Sequence, residues 1–68
     1  MVNPQSKLRK LRLSLGLSQN QLARLSELDR GTISAAENNK NVSDLSKARI
    51  KAALSEKSGK PLEEKDLW

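Results

Sequence analysis

Apolar residues recur along this chain at helical rather than alternating spacing. Leu8, Leu11 and Leu15 fall at i, i+3 and i+7, laying one stripe on a helix predicted from about Gln5 to Leu15. Pro4 stands where a fixed φ suits a helix start, and Gly16 supplies a left-handed residue to close the helix. Ser18 with Gln21 three residues on forms a capping box, opening a second helix from Gln19 to Ser26. Leu22, Ala23 and Leu25 are the candidates for its inner face. Asp29 is the expected N-cap of a third helix, Arg30 to about Asn38, with Ile33 and Ala36 inward.

The polar run Asn38-Asn39-Lys40-Asn41 reads as a loop. Ser43 or Asp44 then caps a fourth helix to about Ser55, with Leu45, Ala48, Ile50, Ala53 and Leu54 available for packing. Glu56 to Lys60 reads as a connector, and Pro61 as the start of a short fifth helix through Leu67. Leucine and alanine supply most of the apolar residues, while β-branched and aromatic residues are scarce. The expected fold is therefore all-α: a compact bundle of about five short helices forming a single domain over residues 1–68.

Two short helices separated only by Glu27-Leu28-Asp29 are the main functional signal. So short a turn forces a steep crossing, which leaves the second helix of the pair free to project. Ala23 must be small because the third helix passes over it, Leu28 plugs the turn, and Ile33 anchors the third helix. This small-apolar-apolar pattern at spacings of 0, 5 and 10 defines a helix-turn-helix over about residues 18–38.

Charge sharpens the picture. Residues 1–53 carry ten Lys/Arg against four Asp/Glu, and residues 54–68 carry three against four, so the basic excess lies in the body of the chain. A basic body favours a polyanion through counterion release. The chain has no cysteine and no histidine, which excludes disulfides, Cys/His zinc sites, a thiol nucleophile and a histidine base. No cofactor or metal is expected, and the carboxylates are scattered among caps and turns rather than gathered, so an enzyme is not expected either. No apolar run approaches the ~20 residues of a membrane span and no signal-peptide h-region is present, so a cytoplasmic, nucleoid-associated protein without a membrane partner is expected.

The segment GLSQNQLARLSELDRGTISAAENNK (Gly16–Lys40) resembles the lambda-repressor-like, Cro/CI-type (XRE) helix-turn-helix family, and the resemblance extends over about Lys7 to Leu54. It implies a five-helix DNA-binding domain of a bacterial, phage or plasmid transcription regulator, most often a repressor. It further implies a homodimer on a palindromic operator of double-stranded DNA. Two departures stand out. Glu27 occupies a turn position where the family usually has Gly, and a left-handed Glu there carries strain of about 1 kcal/mol. The apolar residue common at Ser26 is missing, which suggests that Leu25 rotates inward.

Arg12 and Glu37 lie at the edges of the apolar faces of the first and third helices, suggesting a partly buried structural salt bridge, a pair frequent in the resembled family. Base reading is expected from Arg30, whose guanidinium can fork onto guanine, and from Gly31, Ser34 and Ala35, onto which the family's reading positions map. Phosphate contacts are expected from Gln19 in the first turn of the second helix, from Thr32, and from Asn38, Lys40 and Asn41 after the third. Lys7, Arg9 and Lys10 could extend the backbone contact but read rather as a solvated helix face, and Lys47, Arg49 and Lys51 read as solvated too. The rival function is an antitoxin-like adaptor for a small protein partner. Leu62, Leu67 and Trp68 could serve such a partner, serve dimerisation, or simply close the core.

Overall fold

The computed structural model describes residues 6–38 and 40–68, within which five helices and no strand occur. Pro4 and Gln5 lie outside the described residues. The first helix, α1 (Lys7–Ser14), is capped by Ser6, whose side chain accepts from the N–H of Arg9 at 3.1 Å. It ends in a Schellman motif. The N–H of Leu17 returns to Arg12 O and that of Gly16 to Leu13 O, with Gly16 at φ 73°.

The second helix, α2 (Gln19–Ser26), opens with both arms of the capping box: Ser18 Oγ accepts from the Gln21 N–H, and Gln21 Oε1 from the Ser18 N–H. Its end repeats the Schellman geometry, with Leu28 N–H on Ala23 O and Glu27 N–H on Arg24 O. Here the left-handed position is Glu27, at φ 58° and ψ 38°. The third helix, α3 (Arg30–Glu37), follows Asp29 in extended conformation. The fourth, α4 (Asp44–Ser58), is capped by Ser43, whose Oγ accepts from the Ser46 N–H. The fifth, α5 (Glu64–Leu67), begins with a capping box between Glu63 and Asp66.

These bounds revise the sequence expectations at the C-terminal side. Glu56, Lys57 and Ser58 belong to α4, which stops only where Gly59 turns left-handed. Pro61 does not start α5. The connector is instead pinned by the Leu62 N–H donating to Ser55 Oγ, and α5 begins at Glu64.

The core gathers Leu8, Leu17, Leu22, Ala23, Ile33, Ala36, Ile50, Ala53, Leu54 and Leu67. Helix α2 packs on both α3 and α4, while α1 packs on α3 and α5. Leu62 and Trp68 lie against this core, so the C-terminal apolar residues close the bundle. Three expected core residues face solvent instead: Leu25 is 51% exposed, Leu45 63%, and Ala48 is also exposed. Leu25 has not rotated inward because Ser26 itself is buried. Its hydroxyl donates to Leu22 O at 2.7 Å, satisfying the polar atom within its own helix. Among the described residues no helix is long and apolar enough to cross a membrane.

Candidate nucleic-acid interface

The geometry of α3 begins with Ala23, Leu28 and Ile33. Ala23 is buried under the crossing, Ile33 is wholly buried, and Leu28 packs in the turn between them. On α3, burial of Ile33, Ala36 and Glu37 leaves Gly31 and Ala35 on the opposite side at 100° per residue. Arg30 and Gly31 are exposed, and Ser34 and Ala35 are half-buried at the flank and rim.

A polar network fixes α3 to the rest of the body. Arg12 and Glu37 are both buried and meet through two parallel contacts, Nε to Oε2 at 2.5 Å and Nη2 to Oε1 at 3.2 Å. The remaining edge of the guanidinium donates from Nη1 to Leu17 O at 2.7 Å. Gln19 Nε2 also donates to Glu37 Oε1, at 3.1 Å. One carboxylate thus ties α1, α2 and α3 together. The bidentate geometry with further donors is the arrangement that offsets the desolvation of a buried ion pair.

The same bond orients Gln19. With its amide nitrogen turned to Glu37, one N–H is committed and the other remains for a ligand. Gln19 lines a shallow cleft with Arg9, Arg12, Ser18, Asn20 and Arg30. The N-terminus of α2 is part of this cleft, where backbone N–H groups early in the helix have no intrahelical acceptor. Arg9 and Arg30 have no carboxylate partner among the described residues, so the cleft carries net positive charge. Asn20 was not among the expected contacts and Arg9 was weighed chiefly as a solvated residue, because residue spacing does not reveal which face of α1 borders the start of α2.

The start of α3 is built differently from the expected cap. The Asp29 side chain makes no full hydrogen bond to a backbone N–H. Its Oδ1 accepts from the Thr32 hydroxyl at 2.5 Å. That bond holds the Asp29 carboxyl below its usual pKa against the opposing effect of desolvation, helped by its own N–H and those of Thr32 and Gly31. Thr32 therefore has its hydroxyl proton engaged and offers only lone pairs, so donation to a phosphate requires breaking this bond. Gly31 has a role that spacing does not show. A Cβ there would stand 2.9 Å from Asp29 Oδ2, so glycine leaves room for the carboxylate to fold over the helix end.

At the far end of α3, Asn38 is exposed and its amide approaches Ser34 Oγ at 3.5 Å. The Lys40 N–H returns to Ala35 O at 2.9 Å, and Lys40 and Asn41 line a second small cleft beside α3. Other cations expected to be solvated have partners. Arg49 lies 3.9 Å from Glu27, Lys51 3.1 Å from Glu64, and Lys7 donates to Lys65 O at 3.0 Å.

The family model described as helix-turn-helix matches residues 8–56, most of the chain and all of the paired helices. The chain belongs to the Cro/CI-type (XRE) helix-turn-helix family. That family is one of DNA-binding transcription regulators and is generally non-enzymatic. No curated protein and no solved structure matches the chain. In this Cro/CI-type member, the expected reading positions Gly31 and Ala35 lie on the side of α3 away from the core, Ser34 is half-buried on the flank, and Arg30 is exposed on the flank that carries Glu37. Gln19 and Arg30 meet in one cationic cleft, and Lys40 and Asn41 stand in the other.

Proposed function

We propose that this protein binds double-stranded DNA sequence-specifically, with α3 in the major groove, and regulates transcription as a homodimeric repressor on a two-fold symmetric operator. One observation carries the reading: α3 is a rod bordered by two separate clefts, one holding Arg9 and Arg30 and the other Lys40 and Lys47, four cations without a carboxylate partner among the described residues. Eight residues at 1.5 Å each give a rod of about 12 Å, close to the ~12 Å width of the major groove. In that pose the two clefts meet phosphates on opposite walls of the groove. Gln19, Asn38, Lys40 and Asn41 are then available to the backbone, while Gly31, Ser34 and Ala35 face base edges and Arg30 can fork onto a guanine.

A rod of this length spans only about three to four base pairs at 3.4 Å each, too few to select a site in a genome. Two copies related by a two-fold axis double the site, which supports the palindromic operator.

Selection of bound sites from random duplexes tests the reading, with affinity measured over a range of salt. Arg30→Ala should lose about 1–3 kcal/mol on the selected site and little on random duplex. Lys40→Ala should weaken both about equally. Equal losses on both duplexes for both variants would sink base recognition by Arg30, and an asymmetric selected site would sink the dimer.

A second reading, an adaptor for a protein partner, is favoured by Leu25. This half-exposed leucine lines two shallow clefts, one with Ala53, Glu56 and Lys57, the other with Leu17, Gln21, Arg24 and Lys57. Loss of a co-purifying protein in Leu25→Gln, with duplex affinity intact, would support the adaptor over dimerisation.

A further inference from the structure

Lys47, on the second turn of α4, was expected to be solvated. Instead its Nζ stands 5.5 Å from the ring centroid of Trp68, within cation–π range. Trp68 is the sole aromatic residue of the chain. Its ring is held by the fold: the neighbouring Leu67 is buried in the core, the Trp68 N–H donates to Glu64 O at 3.0 Å, and the indole packs on the core. The indole Nε1 is buried without a hydrogen-bond partner among the described residues, so packing alone sets the ring's orientation. A ring face attracts an ammonium but accepts no conventional hydrogen bond from it, and the N–H donors of Lys47 stay available.

Lys47 and Trp68 line the second cleft together with Ala36, Lys40, Asn41 and Val42. No acidic side chain lines it, and neither Lys40 nor Lys47 forms an ion pair among the described residues. Its volume is about 140 Å³, below the roughly 300 Å³ at which pockets for whole small molecules begin. Two ammonium groups and an amide around so small a space suit a single tetrahedral anion. We propose that Lys47, held over the indole of Trp68, completes a phosphate site with Lys40 and Asn41, and that its ligand is a backbone phosphodiester of duplex DNA. The inference rests on the DNA-binding reading above and adds to it a residue pair outside the matched segment's paired helices. Duplex DNA is preferred over free phosphate because the other cationic cleft, lined by Arg30, borders a different flank of α3 from the one that carries Ala36, so a groove that takes α3 presents backbone phosphates to both. Trp68 is a positioning residue that acts through Lys47.

The test uses anisotropy of a labelled duplex together with Trp68 emission, across salt concentrations, for the full chain and two variants. Trp68 emission should shift as duplex saturates the protein, and inorganic phosphate at the same phosphate concentration should leave it unchanged. Lys47→Gln should flatten the dependence of log K on log salt by about 0.9, which is about five- to tenfold in affinity near 0.1 M salt. Trp68→Leu should lose less affinity and keep the wild-type slope, since the charge remains but is no longer held in place. Circular dichroism melts establish that both variants are folded. An unchanged slope in Lys47→Gln, with wild-type protein binding duplex normally, overturns the proposal alone. An emission shift produced equally by inorganic phosphate overturns the DNA assignment of the site. Failure of the wild-type protein to bind any duplex overturns this inference together with the DNA-binding reading.

Discussion

Replacing Glu27 by glycine should stabilise the fold without altering its core. Glu27 sits at φ 58° because the Schellman turn that joins α2 to α3 requires a left-handed residue there. An L-residue with a Cβ pays about 1–2 kcal/mol for that conformation, and glycine does not. Against the gain stands the larger entropy that glycine loses on folding, about 0.5–1 kcal/mol. The ion pair lost with the side chain counts for little. Glu27 and Arg49 are 3.9 Å apart with side chains 81% and 43% exposed, which discounts the contact to a few tenths of a kcal/mol at most. The hydrogen bond from Arg49 Nη1 to the Glu27 carbonyl, at 3.4 Å, survives the substitution.

The net expectation for Glu27→Gly is about 0.5–1 kcal/mol of added stability, or roughly 3–6 °C in Tm for a chain of this size. Thermal and urea melts followed by circular dichroism measure it. Glu27→Ala is the decisive control. It removes the same carboxylate from the C-terminal end of α2, where a negative charge opposes the helix dipole, but it keeps the Cβ. If alanine stabilises as much as glycine, the gain is electrostatic and the argument from backbone strain is refuted.

Arg12→Met should cost about 3–5 kcal/mol, since it strands Glu37 in the core. The double variant with Glu37→Met should recover much of that loss in urea melts. The Asp29 carboxyl titrates low because the folded state favours its charged form. The corresponding stability is therefore present above the usual aspartate pKa and disappears as the pH falls through the lower folded value. Thr32→Val removes the largest cause, so the Asp29 resonance in an NMR titration should move up toward the ordinary aspartate range, and stability should become less sensitive to pH below about 4. Gly31→Ala should disturb the same titration, because the new methyl displaces the Asp29 carboxylate, whereas an unmoved titration curve would refute the crowding argument.

Local signals in the sequence were legible where the responsible partners lie within a few residues. Ser18 and Gln21 satisfy each other across a single helical turn, and Ala23, Leu28 and Ile33 encode a crossing through side-chain size at fixed spacing. The signals that failed depend on competition between neighbours. Leu25 against Ser26 is one case: apolarity favours burying the leucine, but Ser26 satisfies its hydroxyl on Leu22 O and so occupies the inner position at low polar cost. The end of α4 is another. Ser58 looks like a linker residue beside Gly59, yet its hydroxyl bonds Ser55 O within the helix, and only the left-handed Gly59 breaks it.

The cations show most clearly why the interface was harder to read than the fold. On the sequence, Lys47, Arg49 and Lys51 are equivalent members of one charged run. In the folded chain each meets a different residue far along the sequence: Trp68, Glu27 and Glu64. Lys51 is thereby drawn onto a carboxylate and Arg49 stands loosely near another, whereas Lys47 meets no acidic side chain among the described residues and shares a cleft with Lys40. A net charge of +5 says only that a polyanion is favoured. Which lysines can meet that polyanion is decided by the carboxylates that neutralise the others, and therefore by contacts between helices that no spacing along a single helix contains.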